Sequence, residues 1–265
     1  MSIRFNMLKD AIFLSKDGND EYVNMFAKGC GCRPVSSFNY ASSQQPIVLR
    51  GILKYKTMQQ CWRDRRDFYY IDTGYFGNKQ WKEWHRIVKN DLQHSEIIHR
   101  PDDRFKQFNK TFTPWKRNGR NILLALPDEK PCKFYGIDRN QWIADTIATI
   151  KQHTDRPIVL RERAPRRQDR IHGDTLQEAL NKDVFALVTF NSVAAVESIF
   201  AGIPAFTLAP TNAASPVSHQ DLSLIETPYY AGSDKLYAWA CHLAYGQFHI
   251  SELKNGTAAR ILDEF

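Results

Sequence analysis

DVFALVTFNSVAAVESIFAGIPAFTL, residues 183–208, is the stretch that decides the fold. Within it, 185–189 is a short apolar run of β-forming residues that stops at the polar pair Asn191-Ser192, as a buried strand should. Ser192 is a good N-cap, 193–201 has the apolar content of a packed helix, Gly202 supplies a left-handed stop, and Pro204 forbids continuation. A second apolar stretch, 205–208, follows at once. Strand, helix and strand joined by turns this short make a βαβ unit, whose strands are parallel and buried.

Glu197 is the one acid in this apolar helix, where an unpaired charge is costly to bury. It either surfaces at the rim or faces a ligand. The second reading has a physical basis, because the helix opens at the carboxyl end of a parallel strand, where α/β sheets take ligands. Backbone N–H groups and the Ser192 hydroxyl can then face a phosphate, with Glu197 in reach of an adjoining sugar hydroxyl.

The series Asn191-Ser192, Glu197, Gly202-Ile203-Pro204 resembles the nucleotide-sugar-binding segment of GT-B glycosyltransferases, including capsule-type and phage DNA glycosyltransferases. The resemblance implies an α/β chain of two Rossmann-like lobes with parallel sheets, in a compact form, since GT-B enzymes are usually longer. It also implies donor phosphate on Ser192, the nucleotide's ribose on Glu197, and a base (Asp, Glu or His) from the N-terminal lobe. Nucleotide-sugar epimerases share the motif, and it covers a short part of the chain.

The 265 residues suffice for one large domain or two small lobes, and 43% hydrophobic content suits a folded protein. No apolar run is long enough to span a bilayer and the first residues lack a signal-peptide pattern, so a cytoplasmic protein is expected, in the host cytoplasm if phage-encoded. Five cysteines fit reduced thiols. Cys30-Gly31-Cys32 has metal-compatible spacing but no second pair to complete a site, so a glycine turn is expected; no paired-aspartate motif of the metal-carrying sort stands out, so metal-independent chemistry is expected.

The net charge of +7 and pI near 9.1 favour anionic partners. Arg63, Arg65 and Arg66, then Lys79 and Lys82 around Trp81, mix cations with rings as nucleic-acid surfaces do, although a solvated basic face has the same composition.

Along the chain, 1–117 is expected to be an acceptor-binding lobe, 118–250 a donor-binding lobe, and 251–265 a helix packing back on the first. Strands are expected at 11–14, 34–38, within 45–55, at 68–71 and at 95–100, with helices at 21–27 and 58–65. Asp72 ends the fourth of these strands and Asp17 follows the first, which places both where an open sheet carries catalytic groups; either is a candidate base. In the second lobe, strands are expected at 121–126 and 157–160, and helices at 139–153, 174–180, 234–246 and 252–264. Residues 127–135 are read as a loop, and no internal repeat is apparent. Arg161 and Arg163 follow a strand and suit a diphosphate; His219 lies in a loop that could cover the donor.

The expected function is sugar transfer from a nucleotide sugar, a UDP-sugar first, to a hydroxyl, with hydroxymethylated bases of phage DNA as preferred acceptor. A capsule or lipopolysaccharide transferase, an epimerase and a non-catalytic nucleic-acid-binding protein are the alternatives.

Overall fold

A computed structural model describes residues 8–15, 18, 20–78, 82–162 and 175–264, with the backbone alone at Leu53. In chain order the elements are β1 (Ile12–Leu14), α1 (Glu21–Gly29), β2 (Ile47–Arg50), α2 (Tyr55–Asp64), β3 (Phe68–Thr73), β4 (Trp84–Lys89), α3 (Asp103–Lys106), β5 (Asn121–Ala125), α4 (Glu129–Tyr135) and α5 (Arg139–His153). They continue with β6 (Ile158–Arg161), α6 (Leu176–Leu180), β7 (Val184–Thr189), α7 (Ala194–Phe200), β8 (Ala205–Thr207), α8 (Ser233–Tyr245), β9 (Gln247–His249), α9 (Ile250–Asn255) and α10 (Thr257–Glu264). The chain divides into two compact units: Met1–Leu92 with Asp103–Phe108 and Leu243–Phe265, and Gln93–Asp102 with Asn109–His242.

The first unit holds a sheet in the order β1-β2-β3-β4-β9. Its first three strands are parallel; β4 pairs antiparallel with β3 and β9 antiparallel with β4, so β9 runs with the first three again. Phe13, Val48, Tyr69, Ile71 and Ile87 form a core with Val23 and Phe26 of α1, Leu253 of α9 and Ile261 of α10. Helices α1 and α9 meet backbone to backbone, since a Cβ on Gly29 would stand 2.0 Å from the Leu253 carbonyl oxygen. Asp20 caps α1 by accepting from the Val23 amide.

Sequence and structure differ at three places, two in this unit and one, 95–100, in the other. Residues 34–38 contribute one bridge, Leu14 to Val35, instead of a strand; 95–100 form no strand; and β4 and β9 were not foreseen. Strand β4 is disguised by Arg86, a buried cation in mid-strand. Its guanidinium bonds to Asp72 Oδ2 at 3.1 Å, the Leu92 carbonyl at 3.1 Å and the Thr73 carbonyl, so its charge is paired and each of its three nitrogens has an acceptor.

Arg104 repeats the device beneath β9. It bonds to the carbonyls of Ala244 (3.1 Å) and Gln247 (2.8 Å) and forks onto Glu252 at 2.6 and 2.9 Å. The burial of Glu252 works against its charge, but the Arg104 fork and the His249 amide outweigh this and hold the carboxyl below its ordinary value.

The second unit holds a sheet in the order β6-β5-β7-β8, parallel throughout. Ile122, Leu124, Phe185, Val188 and Phe206 of the sheet pack with Ile150 of α5 and with Leu222 and Ile225. The βαβ unit lies where residues 183–208 place it, although α7 starts at Ala194 with Val193 at the cap. Ser192 Oγ still accepts from the Ala194 amide at 3.2 Å. Residues 129–135, expected as a loop, form α4, which ends at Gly136 in the left-handed region.

Residues 113–119 run along the amino ends of these strands. The Thr113 amide donates to the Phe200 carbonyl at 3.0 Å and that of Lys116 to Gly202 at 2.7 Å. Gly202 has φ of 74°, and a Cβ there would stand 2.3 Å from the Pro114 carbonyl oxygen. Glycine is therefore required twice over, by dihedral and by space.

The structure also exposes a repeat. Pro-Ile-Val-Leu-Arg occurs at 46–50 and at 157–161, as β2 and β6, the second parallel strand of each unit. The register agrees: Ile12 pairs with Ile47 and its amide bonds to the Pro46 carbonyl, as Ile122 pairs with Ile158 and bonds to Pro157.

Two stability predictions follow from this packing. Arg104→Ala strands Glu252 and two carbonyls and is expected to cost about 3–5 kcal/mol in urea unfolding. Because the Glu252 carboxyl is depressed on folding, the pair's contribution is full above the unfolded carboxyl pKa of about 4.3 and is lost as pH falls through the folded value, so the wild-type and variant stabilities should converge in acid. Gly202→Ala is expected to cost more than about 1 kcal/mol; an unchanged urea midpoint would refute the close approach at Pro114.

Candidate functional site

All four strands of the second sheet point one way, so their carboxyl ends share an edge. The chain passes from β5 to β6 on one side and then returns to β7 on the other side of β5, which makes the carboxyl ends of β5 and β7 a topological switch point. Open α/β sheets bind ligands there.

The turn after β7 is firmly held. Thr189 Oγ1 donates to the Ala125 carbonyl at 3.1 Å and accepts from the Ser192 amide at 3.4 Å. Gln93 donates to the Asn191 carbonyl and accepts from the Ala213 amide at 3.0 Å, while Asn212 donates to the Ser192 carbonyl at 3.4 Å. Gln93 and Asn212 are buried, and both were missed from sequence. They are ordinary polar residues far from 189–192 in the chain, so no local pattern marks them. Asn191 is itself buried, and it serves this turn through its main chain.

Glu197 projects from α7 as the exposed residue of a helix whose other members, Ala194 to Phe200, are buried. Although the residue is exposed, the protein around it strips enough hydration to raise its carboxyl above the ordinary value, with Lys110 and Arg161 opposing. Lys110 rests its ammonium 5.0 Å from the Phe200 ring centroid. Arg161, the last residue of β6, makes no side-chain hydrogen bond or ion pair among the described residues, so its donors are open to a ligand. A carboxylate, two cations and the Ser192 turn are the groups needed to hold a hydroxyl-bearing phosphate ester.

His219 belongs elsewhere. Its backbone bridges Phe206 of β8 and its ring packs 5.8 Å from those of Phe206 and Tyr229, which fixes it along the strand rather than at the carboxyl end. Arg163 lies outside the described residues, as do Asp17, Lys79 and Trp81.

In the first unit, Asp72 accepts from Tyr70 Oη at 2.8 Å, the Thr73 amide at 2.7 Å and Arg86 at 3.1 Å. Burial opposes its charge, yet Arg86 and these bonds prevail and lower its pKa. A carboxylate so engaged is ionised and a weaker base than a free one, which weighs against the expected role of Asp72 as base. Arg66 does not lie on the open basic face expected of it. It is buried and bonds to the Gln45 and Tyr40 carbonyls and to Ser43 Oγ, pinning the 38–45 loop instead of facing a nucleic acid. Arg63, Arg65 and Lys82 are exposed.

A cavity of about 1100 Å³ in the second unit lies among Trp115, Arg117, Tyr230 and Tyr237, beside the segment that crosses the strands' amino ends. It is therefore separate from the switch-point edge. Among the described residues no three His, Cys, Asp or Glu side chains are gathered to hold a metal, and no helix is long and apolar enough to cross a membrane.

No protein-family model matches the chain, and no curated protein does. Among solved structures it is similar to KpsC of Thermosulfurimonas dismutans, a beta Kdo 2,4 transferase, at 10% identity and a TM-score of 0.52, over 91% of this chain and 92% of that one. The likeness is one of fold, a mixed α/β architecture with Rossmann-like, parallel-strand sheets.

Proposed function

We propose that the protein is a glycosyltransferase that moves a sugar from a nucleotide-activated donor to a hydroxyl. The observation that carries the reading is Glu197, an exposed acid on a buried helix beside the switch point, set electrostatically between Lys110 and Arg161. Glu197 would accept a hydrogen bond from the nucleotide's ribose, and the Ser192 turn and Arg161 would take the phosphates.

In the reaction the acceptor oxygen attacks the anomeric carbon, the bond from that carbon to the phosphate oxygen breaks, and the nucleotide leaves with the electron pair. Arg161 and Lys110 would offset the charge that develops on it. The acceptor hydroxyl gives up its proton to a base. With Asp72 occupied by Arg86, Asp17, three residues beyond the end of β1, becomes the proposed base. No metal enters this scheme.

The acceptor we favour is a saccharide, a reading supported by the fold similarity to a beta Kdo 2,4 transferase. A DNA acceptor is the second reading, favoured by the exposed Arg63, Arg65 and Lys82. DNA binding that weakens steeply with salt, together with transfer to hydroxymethylated DNA, would select it.

Screening UDP-sugars, GDP-sugars and a nucleotide-activated Kdo by thermal unfolding tests the donor. At a hundredfold excess over Kd, a true donor stabilises the protein by about 2.7 kcal/mol. Glu197→Gln should weaken that donor roughly 10- to 100-fold, the worth of one hydrogen bond to a charged group. The donor assignment fails if no nucleotide sugar raises Tm or if Glu197→Gln binds as tightly as wild type. In transfer assays Asp17→Asn should lower kcat by at least about 100-fold; an active Asp17→Asn variant would remove it from the mechanism.

A further inference from the structure

The repeated Pro-Ile-Val-Leu-Arg strand gives each unit an arginine at the same place, the carboxyl end of its second parallel strand. Arg161 has been placed in the donor site; its counterpart is Arg50, which no part of that scheme uses. The surroundings of Arg50 show a cation held ready and poorly answered. Its guanidinium lies 4.2 Å from the centroid of the Tyr22 ring, and that ring lies in turn 3.8 Å from the imidazole of His85.

His85 is fully buried and neither ring nitrogen has a partner among the described residues. Burial, and then Arg50, push its pKa down to about 3, so it stays neutral and Arg50 carries the charge of the stack. Stacking fixes the plane of the guanidinium and leaves its N–H edge to find acceptors.

The acceptors present do not suffice. Asp20 Oδ2 stands 3.8 Å from the nearer terminal nitrogen, close enough for charge attraction and beyond hydrogen-bond length, while its other oxygen caps α1. Arg50 Nε is buried without a partner among the described residues. The next residue, Gly51, turns the chain at φ of 73°, and a Cβ there would meet nothing within 4 Å. The Arg50 side chain itself is 28% exposed.

We propose that Arg50 is an oxyanion-binding residue of the first unit and that it selects an acceptor sugar bearing a carboxylate or phosphate. The proposal rests on the glycosyltransferase reading for the word acceptor, and on the geometry alone for the anion. One cation flanked by Asp20 and within the field of Asp72 suits a single acidic group; a polyanion such as DNA would bring further phosphates against those carboxylates.

The experiment titrates wild type, Arg50→Gln and Arg50→Lys with methyl glucuronide, methyl glucoside and uridine diphosphate, read by NMR chemical-shift changes, with Tm checked for each variant. Methyl glucuronide should bind wild type at least tenfold more tightly than the neutral glucoside. Arg50→Gln should lose at least tenfold for glucuronide with uridine diphosphate unaffected, Arg50→Lys should restore part of the loss, and Glu197→Gln should leave glucuronide binding intact. Equal binding of glucuronide and glucoside, or glucuronide binding unchanged in Arg50→Gln, overturns the proposal. Loss confined to uridine diphosphate overturns it too, by assigning the anion to the donor. Failure of the glycosyltransferase reading is separable, because it shows as no nucleotide-sugar binding while the glucuronide arm still reports on Arg50.

Discussion

β5 and β7 run side by side in the same direction, with Ile122 to Ala125 against Ala186 to Thr189, and most of what can be said about function descends from that pairing. Parallel strands cannot be joined by a hairpin; each connection must cross the sheet and return, which gathers all carboxyl ends on one edge. Insertion of β5 between β6 and β7 forces successive connections to diverge at that edge and leaves a crevice between them. The turn at Asn191-Ser192 sits there by topology, and Gln93, Thr189 and Asn212 hold it. Those bonds satisfy backbone groups that the open end of a parallel sheet would otherwise leave bare.

The first unit meets a different problem, since its parallel strands are extended by two antiparallel pairings, β3 with β4 and β4 with β9, and this side of the sheet carries buried charge. Arg86 and Arg104 each lie in an interior that would reject a lone cation. Each is tolerated because a carboxylate and backbone carbonyls take up its donors together. In both cases the acid is held below its ordinary pKa in spite of burial, so the pairs stay ionised at neutral pH. Such pairs add little net stability over apolar packing, but breaking one is costly, and this makes them fixers of geometry. Asp72 was attractive as a catalytic group because it follows an apolar strand; the same position makes it the partner of the arginine on the neighbouring strand.

What the sequence made legible were elements whose burial is uniform. Residues 183–208 specified strand, helix, stop and strand because both faces of β7 and most of α7 are apolar, and Gly202 and Pro204 punctuate the end. β4 was not legible, since Arg86 breaks the apolar run and its partners are Asp72 and Thr73 on another strand. Burial of identical segments was not legible either. Ile47-Val48-Leu49 of β2 is fully buried between two neighbouring strands, whereas Leu160 of β6, in the same pentapeptide, is 53% exposed at the sheet's edge. Sequence states that a segment will be a strand; the strands on either side decide which residues meet water. Among site residues, Glu197 was legible as an anomaly on an apolar helix, and Lys110 was not, because nothing near it in the chain signals the helix it lies against.

Hydrogen-bond accounting separates arginines that composition treats alike. Arg66, Arg86 and Arg104 have their donors taken up by carbonyls, hydroxyls and carboxylates of the fold, and removing one would injure structure. Among the described residues Arg161 makes no such bonds, and Arg50 has a ring beneath it, an ion-pair partner beyond hydrogen-bond length and a buried Nε with no acceptor. A folded chain rarely leaves a buried donor unanswered, because its desolvation is then uncompensated. Where it does so at the carboxyl end of a parallel strand, as at Arg50 Nε, an acceptor from outside the chain would answer it. The net positive charge is then less a statement about a polyanionic partner than a sum over cations neutralised within the fold and cations left without such bonds.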